Sequence, residues 1–308
     1  MTRLSTPSRF GLVAGLSVSD PAEEELVRLG LSRLHIQHVF IEITRHILAR
    51  GWSVSYGGDL RTGGYTEALF DLVRTYNPRD LPGPDRVTNY LAWPNWLGLS
   101  ASASAATANI ASTVRSPTPE GAPQDLPARQ DRTPEHLAWA ALGLTSMREQ
   151  MTSDVDVRII LGGRGSGQQG LYPGLVEEAV VAIRSGVPLF VMGGFGGAGG
   201  LVARALTGAT VEELGLEYQI ERGDRYADLL RGLRAMGHLP DFPGINEELR
   251  RTGHRGLANG LDEPESVRLA ESDDVDEVIA LVLRGCSAIA ARDGREANDA
   301  SDGRSTDK

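Results

Sequence analysis

Three observations predict a Rossmann-like, doubly wound α/β fold with a mainly parallel sheet and C-terminal helical additions. Short apolar runs rich in β-branched residues recur, as in Val157-Arg158-Ile159-Ile160-Leu161 and Val187-Pro188-Leu189-Phe190-Val191-Met192. Such runs are the pattern of strands buried on both faces. Each ends in clustered glycines: Gly162, Gly163 and Gly165 in the first case, Gly193, Gly194, Gly196 and Gly197 in the second. A helical pattern follows each, over residues 175–184 and 201–206. Strand, glycine turn and helix in succession make parallel α/β units, and their repetition predicts a sheet of about five to seven strands.

The 308 residues suffice for one such core with an appendage. Apolar and charged fractions of 41% and 23% are those of an ordinary soluble globular chain. A net charge of −10 argues against a nucleic-acid surface, which needs a basic face. No apolar run approaches the roughly 20 residues that span a bilayer, so no membrane partner is expected. Arg3 and Arg9 precede an apolar run that imitates a secretory signal, but Ser17, Ser19 and Asp20 cut it short. A single cysteine, Cys286, excludes an intramolecular disulfide and suits a reducing cytoplasm. Its apolar helical surroundings point to packing.

Residues 10–20 read as the first strand, ending in a polar loop. Ser17, Ser19 and Asp20 then stand at its carboxyl end, the ligand side of a doubly wound sheet. Asp20-Pro21 followed by three glutamates also reads as a helix cap with an acidic first turn. Ile36, Val39, Phe40, Ile43 and Ile47 repeat at helical spacing. His35, His38 and His46 decorate that helix, yet no acidic or cysteine constellation accompanies them, so they are read as surface or packing residues and no metal is expected.

Gly51 stops the helix, and residues 52–56 form a short strand leading into Gly57, Gly58, Asp59, Arg61, Gly63 and Gly64. A helix over 65–76 completes a third strand, glycine turn and helix unit. Asp59 is suited to accept ribose hydroxyls and Arg61 to pair with a phosphate. A solvated loop accounts for both nearly as well. Residues 87–93 are a further strand. Residues 99–132, rich in Ala, Ser, Thr and Pro without a durable period, read as a flexible surface insertion.

Thr133-Pro134-Glu135 opens a helix carrying Leu137, Ala140, Ala141, Leu144 and Met147, with Arg148 near its end. After Gly208 the glycine motifs stop. Tyr226, Leu229, Leu230 and Leu233, and then Val275, Val278, Ile279, Val282 and Leu283, mark helices that pack on the sheet or form a dimer surface. The expected organisation is a ligand-binding domain over 8–210, a helical extension of the same domain over 211–292, and a polar, disordered tail over 293–308.

In doubly wound sheets the ligand lies outside the carboxyl ends of the strands. Glycines there let backbone N–H groups approach an anion, and the following helix N-terminus adds partial positive charge. Proteins hold nucleotide phosphates in this way. One glycine pair would be read as a turn; two clusters after adjacent strands favour a ligand.

Leu161-Gly162-Gly163-Arg164-Gly165-Ser166, then Tyr172-Pro173-Gly174-Leu175-Val176-Glu177-Glu178-Ala179, then Val191-Met192-Gly193-Gly194-Phe195-Gly196-Gly197-Ala198 resemble the SLOG superfamily. Its Rossmann-like members include the Lonely Guy phosphoribohydrolases, the DprA proteins and the sensing domains of Thoeris-type antiphage effectors. The resemblance implies that Gly162, Gly163, Arg164, Gly165, Ser166, Pro173, Gly174, Gly193, Gly194, Phe195, Gly196 and Gly197 face the ligand. Arginines near position 148 recur in the superfamily, which makes Arg148 a further candidate.

Lonely Guy enzymes resemble Pro-Gly-Gly-x-Gly-Thr-x-x-Glu, with the glutamate working on the glycosidic bond. Here Gln169 stands three residues after Ser166, and the nearest carboxylates are Glu177 and Glu178. Glutamine cannot take a proton as a general base, so enzymatic activity requires one of those two glutamates. Successive helix positions point about 100° apart, so at most one faces the ligand squarely. The other would be a first-turn carboxylate favoured by the helix dipole. The resemblance implies a nucleotide or nucleotide-derived ligand and no cofactor. A cytoplasmic homo-oligomer is expected, with a separate effector protein as partner if the role is the sensing in antiphage defence that the resemblance implies.

Overall fold

Strands β1 (Val13–Ser19), β2 (Ser53–Gly57), β3 (Val87–Leu91), β4 (Ser112–Arg115), β5 (Val157–Gly162) and β6 (Leu189–Met192) form one parallel sheet in the order β4-β3-β2-β1-β5-β6. The computed structural model describes residues 11–58, 64–76, 86–123, 126, 133–167, 169–223 and 225–302, with 293–302 described by backbone alone. The chain winds outward from β1 to β4, then returns to the other side of β1 to lay down β5 and β6. That reversal puts a topological switch point between β1 and β5, where such sheets open a crevice for ligand.

The helices in chain order are α1 (Glu23–Arg28), α2 (Arg33–Ala49), α3 (Tyr65–Tyr76), α4 (Ala101–Thr107), α5 (Pro134–Ser153), α6 (Gly174–Arg184), α7 (Gly197–Leu206), α8 (Leu216–Arg222), α9 (Tyr226–Ala235), α10 (Phe242–Thr252), α11 (Glu263–Glu271) and α12 (Val275–Asp302). They cover both faces of the sheet. Val157, Ile159 and Leu161 of β5 enter one apolar layer with Ile36, Val39, Phe40, Ile43 and Ile47 of α2 and Val278 and Val282 of α12. Ile160 points the other way, into a layer with Val176 of α6, Val202 of α7 and Leu233 of α9. All of β5 is buried, as a strand with helices on both faces must be.

Local chemistry fixes the helix starts. Thr133 caps α5 by accepting from the His136 N–H at 3.2 Å, with Pro134 in the first turn. Ser32 and His35 form a reciprocal box at the start of α2, where the Ser32 N–H donates to His35 Nδ1 at 2.9 Å. His35 therefore has a capping role that its position in the sequence did not announce. Cys286 is fully buried, and burial pushes its thiol to about 12, so it is an inert packing residue.

Two expectations differ from the structure. The 99–132 stretch contains α4 and the edge strand β4, which pairs with β3 through Thr88↔Ser112 to Leu91↔Arg115. Its period was hidden because β4 is a half-covered edge strand with a half-buried to exposed pattern. The polar 293–308 stretch begins inside α12, whose backbone continues to Asp302.

His254 follows α10 at 8% exposure, and neither ring nitrogen has a hydrogen-bond partner among the described residues. Burial lowers its pKa below the ordinary 6.5, against the pull of Glu271 and Glu263. Between that lowered value and 6.5 the unfolded chain binds the extra proton, so His254 subtracts stability as pH falls below 6.5. Replacement by Leu is expected to flatten the loss of unfolding free energy from pH 7 towards pH 5, read by chemical denaturation at each pH. An unchanged slope would contradict this assignment.

Candidate functional site

The crevice between β1 and β5 has a floor of buried charge. Arg158 is the one charged residue in the apolar run of β5, and a charge in a doubly covered strand requires partners. It is 0% exposed and projects towards α5 and α6. Its Nη1 lies 2.9 Å from Glu178 Oε2 and donates to Ser17 Oγ at 3.1 Å; Nη2 donates to Thr152 Oγ1 at 2.5 Å. Ser17 in turn donates a short hydrogen bond to Glu178 Oε2. Burial holds the Arg158 guanidinium below its ordinary value; Glu178 opposes that shift and the nearby Arg148 adds to it.

Glu177, in the first turn of α6, and Glu178 after it both point inward. They are 3% and 9% exposed. The angle between successive helix positions sends them to different partners. Glu178 faces β1 and β5, whereas Glu177 faces α5, where Arg148 Nη1 is 2.6 Å from Oε2 and Thr145 Oγ1 is 2.5 Å from Oε1. Arg148 Nε lies 3.7 Å from Glu178 Oε1, so two arginines and two glutamates make one network. Arg148 is 7% exposed and is no surface arginine. The charge of Glu177 also reaches Glu149, whose pKa is raised mainly by burial.

The first glycine loop lies directly over this network. A Cβ on Gly170 would stand 2.7 Å from Arg148 Nη1, and one on Gly174 would stand 3.0 Å from Nη2. Glycine at both positions keeps the guanidinium uncovered by side chains. Arg164 is exposed and has no ion-pair partner among the described residues, and Ser166 is half-buried. Pro173 precedes α6, whose Leu175 and Val176 N–H groups have no partner within the helix; the first such bond is Glu177 N to Pro173 O at 3.0 Å. Gly162 and Gly163 adopt φ of +68° and +87°, and the Gly163 N–H donates to Ser19 O at 2.7 Å, tying the loop to the end of β1.

The second glycine loop is packed closely against its neighbours. Cβ atoms on Gly193 and Gly194 would lie 2.6 Å from the Ala270 carbonyl and 2.3 Å from the Ser272 carbonyl, so these glycines admit the close approach of α11. Phe195 is fully buried in the core and is not presented to the crevice. Gly197 packs on the first loop, its Cβ position only 2.0 Å from Gly163 O. The Gly197 N–H at the start of α7 donates to Glu25 Oε1 at 2.9 Å. A carboxylate of the protein thus occupies the anion position of this helix, beside Gly196.

At the end of β1, Asp20 is held by Arg33 at 2.6 Å and by Tyr65 Oη at 2.6 Å. Burial, followed by the Asp20 hydrogen bond and charge, raises the Tyr65 phenol pKa. Gly57 and Gly58 are half-buried at the end of β2, and a Cβ on Gly58 would meet the Tyr56 ring at 2.1 Å. Asp59 and Arg61 lie outside the described residues. Sequence reading missed Arg158, Thr145, Thr152 and Glu25. The signal for Arg158 was present: an arginine inside a run otherwise fit for a strand buried on both faces.

Removing one partner of a buried pair strands the other charge. Glu178→Gln is therefore expected to lower the unfolding free energy by about 3 kcal/mol, and the paired replacement Arg158→Met with Glu178→Leu to restore much of it. Chemical denaturation measures both. A single variant as stable as wild type would show that the network is not closed as described.

The SLOG cluster2 family model matches residues 10–269. None of the curated proteins matches the chain in sequence.

Proposed function

This chain belongs to the SLOG cluster2 family, and we propose that it binds a nucleotide or nucleotide-derived signal at the first glycine loop without cleaving it. The observation that carries this reading is the engagement of both candidate carboxylates. Glu177 is bound by Arg148 and Thr145, and Glu178 by Arg158 and Ser17. A general base needs a carboxylate within reach of a substrate proton. Here the residue at the corresponding loop position is Gln169, which is exposed and has no basic oxygen.

Binding is supported by the donors gathered at the crevice. The first-turn N–H groups of α6, the Arg148 guanidinium beneath Gly170 and Gly174, and Arg164, which has no ion-pair partner among the described residues, all belong to this loop and its floor in a chain that is otherwise strongly acidic. That chemistry suits a phosphate held at a helix N-terminus. The second loop, already capped by Glu25, contributes packing rather than anion contacts. In this reading the protein is the sensing component of a bacterial nucleotide-signalling or defence system, works in the cytoplasm as a homo-oligomer, and passes its state to a separate effector.

A Lonely Guy-like phosphoribohydrolase is the second reading. It is favoured by one observation, that the Arg148–Glu177 pair sits directly beneath Gly170 and Gly174, where a sugar could reach it.

Incubation of the purified protein with a panel of nucleotides and dinucleotides, followed by mass spectrometry, separates the two. Retained intact ligand with no more than trace free base is expected. Rapid release of base from any nucleoside monophosphate, lost in Glu177→Gln with binding preserved, would overturn sensing in favour of catalysis; loss of acid–base help is of the order of 100-fold or more in rate.

A further inference from the structure

We propose that Gln219 is a positioning residue for the first glycine loop, so that helices α8 to α10 set the shape of the ligand site. Gln219 is 0% exposed, and its Nε2 donates to Gly165 O at 2.8 Å and to Glu213 O at 2.7 Å. Its Oε1 is buried with no partner among the described residues. An apolar side chain of the same length would fill the space without orphaning an acceptor. The amide is therefore explained by the two carbonyls it joins, Gly165 O and Glu213 O.

What it does follows from peptide geometry. The Gly165 carbonyl and the Ser166 N–H belong to one trans peptide and point in opposite directions. Holding the carbonyl inward turns the Ser166 N–H outward, on the side of the exposed Arg164. No backbone partner takes that N–H among the described residues. It is left as a donor for an anion, in line with the ligand reading on which this part of the inference rests.

The loop cannot hold this orientation itself. Gly163, Gly165, Gly167 and Gly170 supply no side chains, and Gly163 and Gly167 sit at φ of +87° and +69°. The same C-terminal segment braces it further along. A Cβ on Gly223 would lie 3.7 Å from Gly167 Cα, Tyr226 Oη donates to Leu171 O at 2.5 Å, and the Asp241 N–H donates to Tyr172 Oη at 2.7 Å. The helical extension beyond residue 210 is thus part of the site, and the family match likewise continues through it to residue 269.

The test compares Gln219→Met, which keeps length and loses the donor, with Leu214→Ala, which removes a neighbouring core side chain and leaves the Gln219 amide in place. Hydrogen exchange over residues 163–171 is expected to quicken about tenfold in Gln219→Met, with β5 unchanged, and to stay at the wild-type rate in Leu214→Ala. Affinity for adenosine monophosphate is expected to fall by a factor of about ten in Gln219→Met alone. Unchanged loop exchange in Gln219→Met, or equal quickening in Leu214→Ala, would overturn the proposal. If wild type binds none of the nucleotides tried while the loop responds as described, the ligand reading fails and the tether stands. Should Gln219→Met not fold, Gln219→Asn, one methylene too short to span Gly165 and Glu213, supports the same comparison.

Discussion

Two guanidinium groups and two carboxylates lie out of water between the central strands and helices α5 and α6, and the rest of the site depends on their being matched. Taking one ion from water into a protein interior costs several kcal/mol, so each charge persists there only if its partners are placed to within hydrogen-bond distance. Arg158 comes from β5, Arg148 from α5, both glutamates from α6 and Ser17 from β1. Bringing these partners together fixes the register of α5 and α6 on the sheet. The charges sum to zero, so the network supplies position rather than a net field. It holds Arg148 at the start of α6 with Gly170 and Gly174 above it.

The two glycine clusters look alike in sequence and diverge in the fold. Conformational freedom is needed in both, but the neighbour each glycine admits decides what it is for. Gly170 and Gly174 admit a guanidinium, which leaves a cation beside the crevice. Gly193 and Gly194 admit the carbonyls around the end of α11, and Gly197 admits the first loop itself. The α7 N-terminus is satisfied internally by Glu25. Of these two clusters, the first keeps donors to spare among the described residues, which is why the nucleotide reading is placed there.

Much of the architecture was legible because long-period patterns are local. The stripe Ile36, Val39, Phe40, Ile43 and Ile47 is buried as its spacing required, and residues 65–76 form the helix their pattern implied. β4 was not legible, because an edge strand with only half-covered side chains carries little alternation. The direction of Glu177 and Glu178 was not legible either. A carboxylate near a helix start reads as a dipole partner unless the arginines facing it are known, and those lie on other elements. The Gln219 contact joins residues 54 apart in sequence through a single backbone carbonyl, and no spacing rule encodes that.

The central claim is that the first loop receives a phosphate while both ion pairs stay closed. A crystal structure with a bound nucleoside monophosphate tests it most directly. The phosphate is expected against the Ser166, Leu175 and Val176 N–H groups within reach of Arg148, with Glu177 and Glu178 still on their arginines. A phosphate at Gly197 in place of Glu25, or a Glu177 released from Arg148 and turned to the sugar, would contradict it.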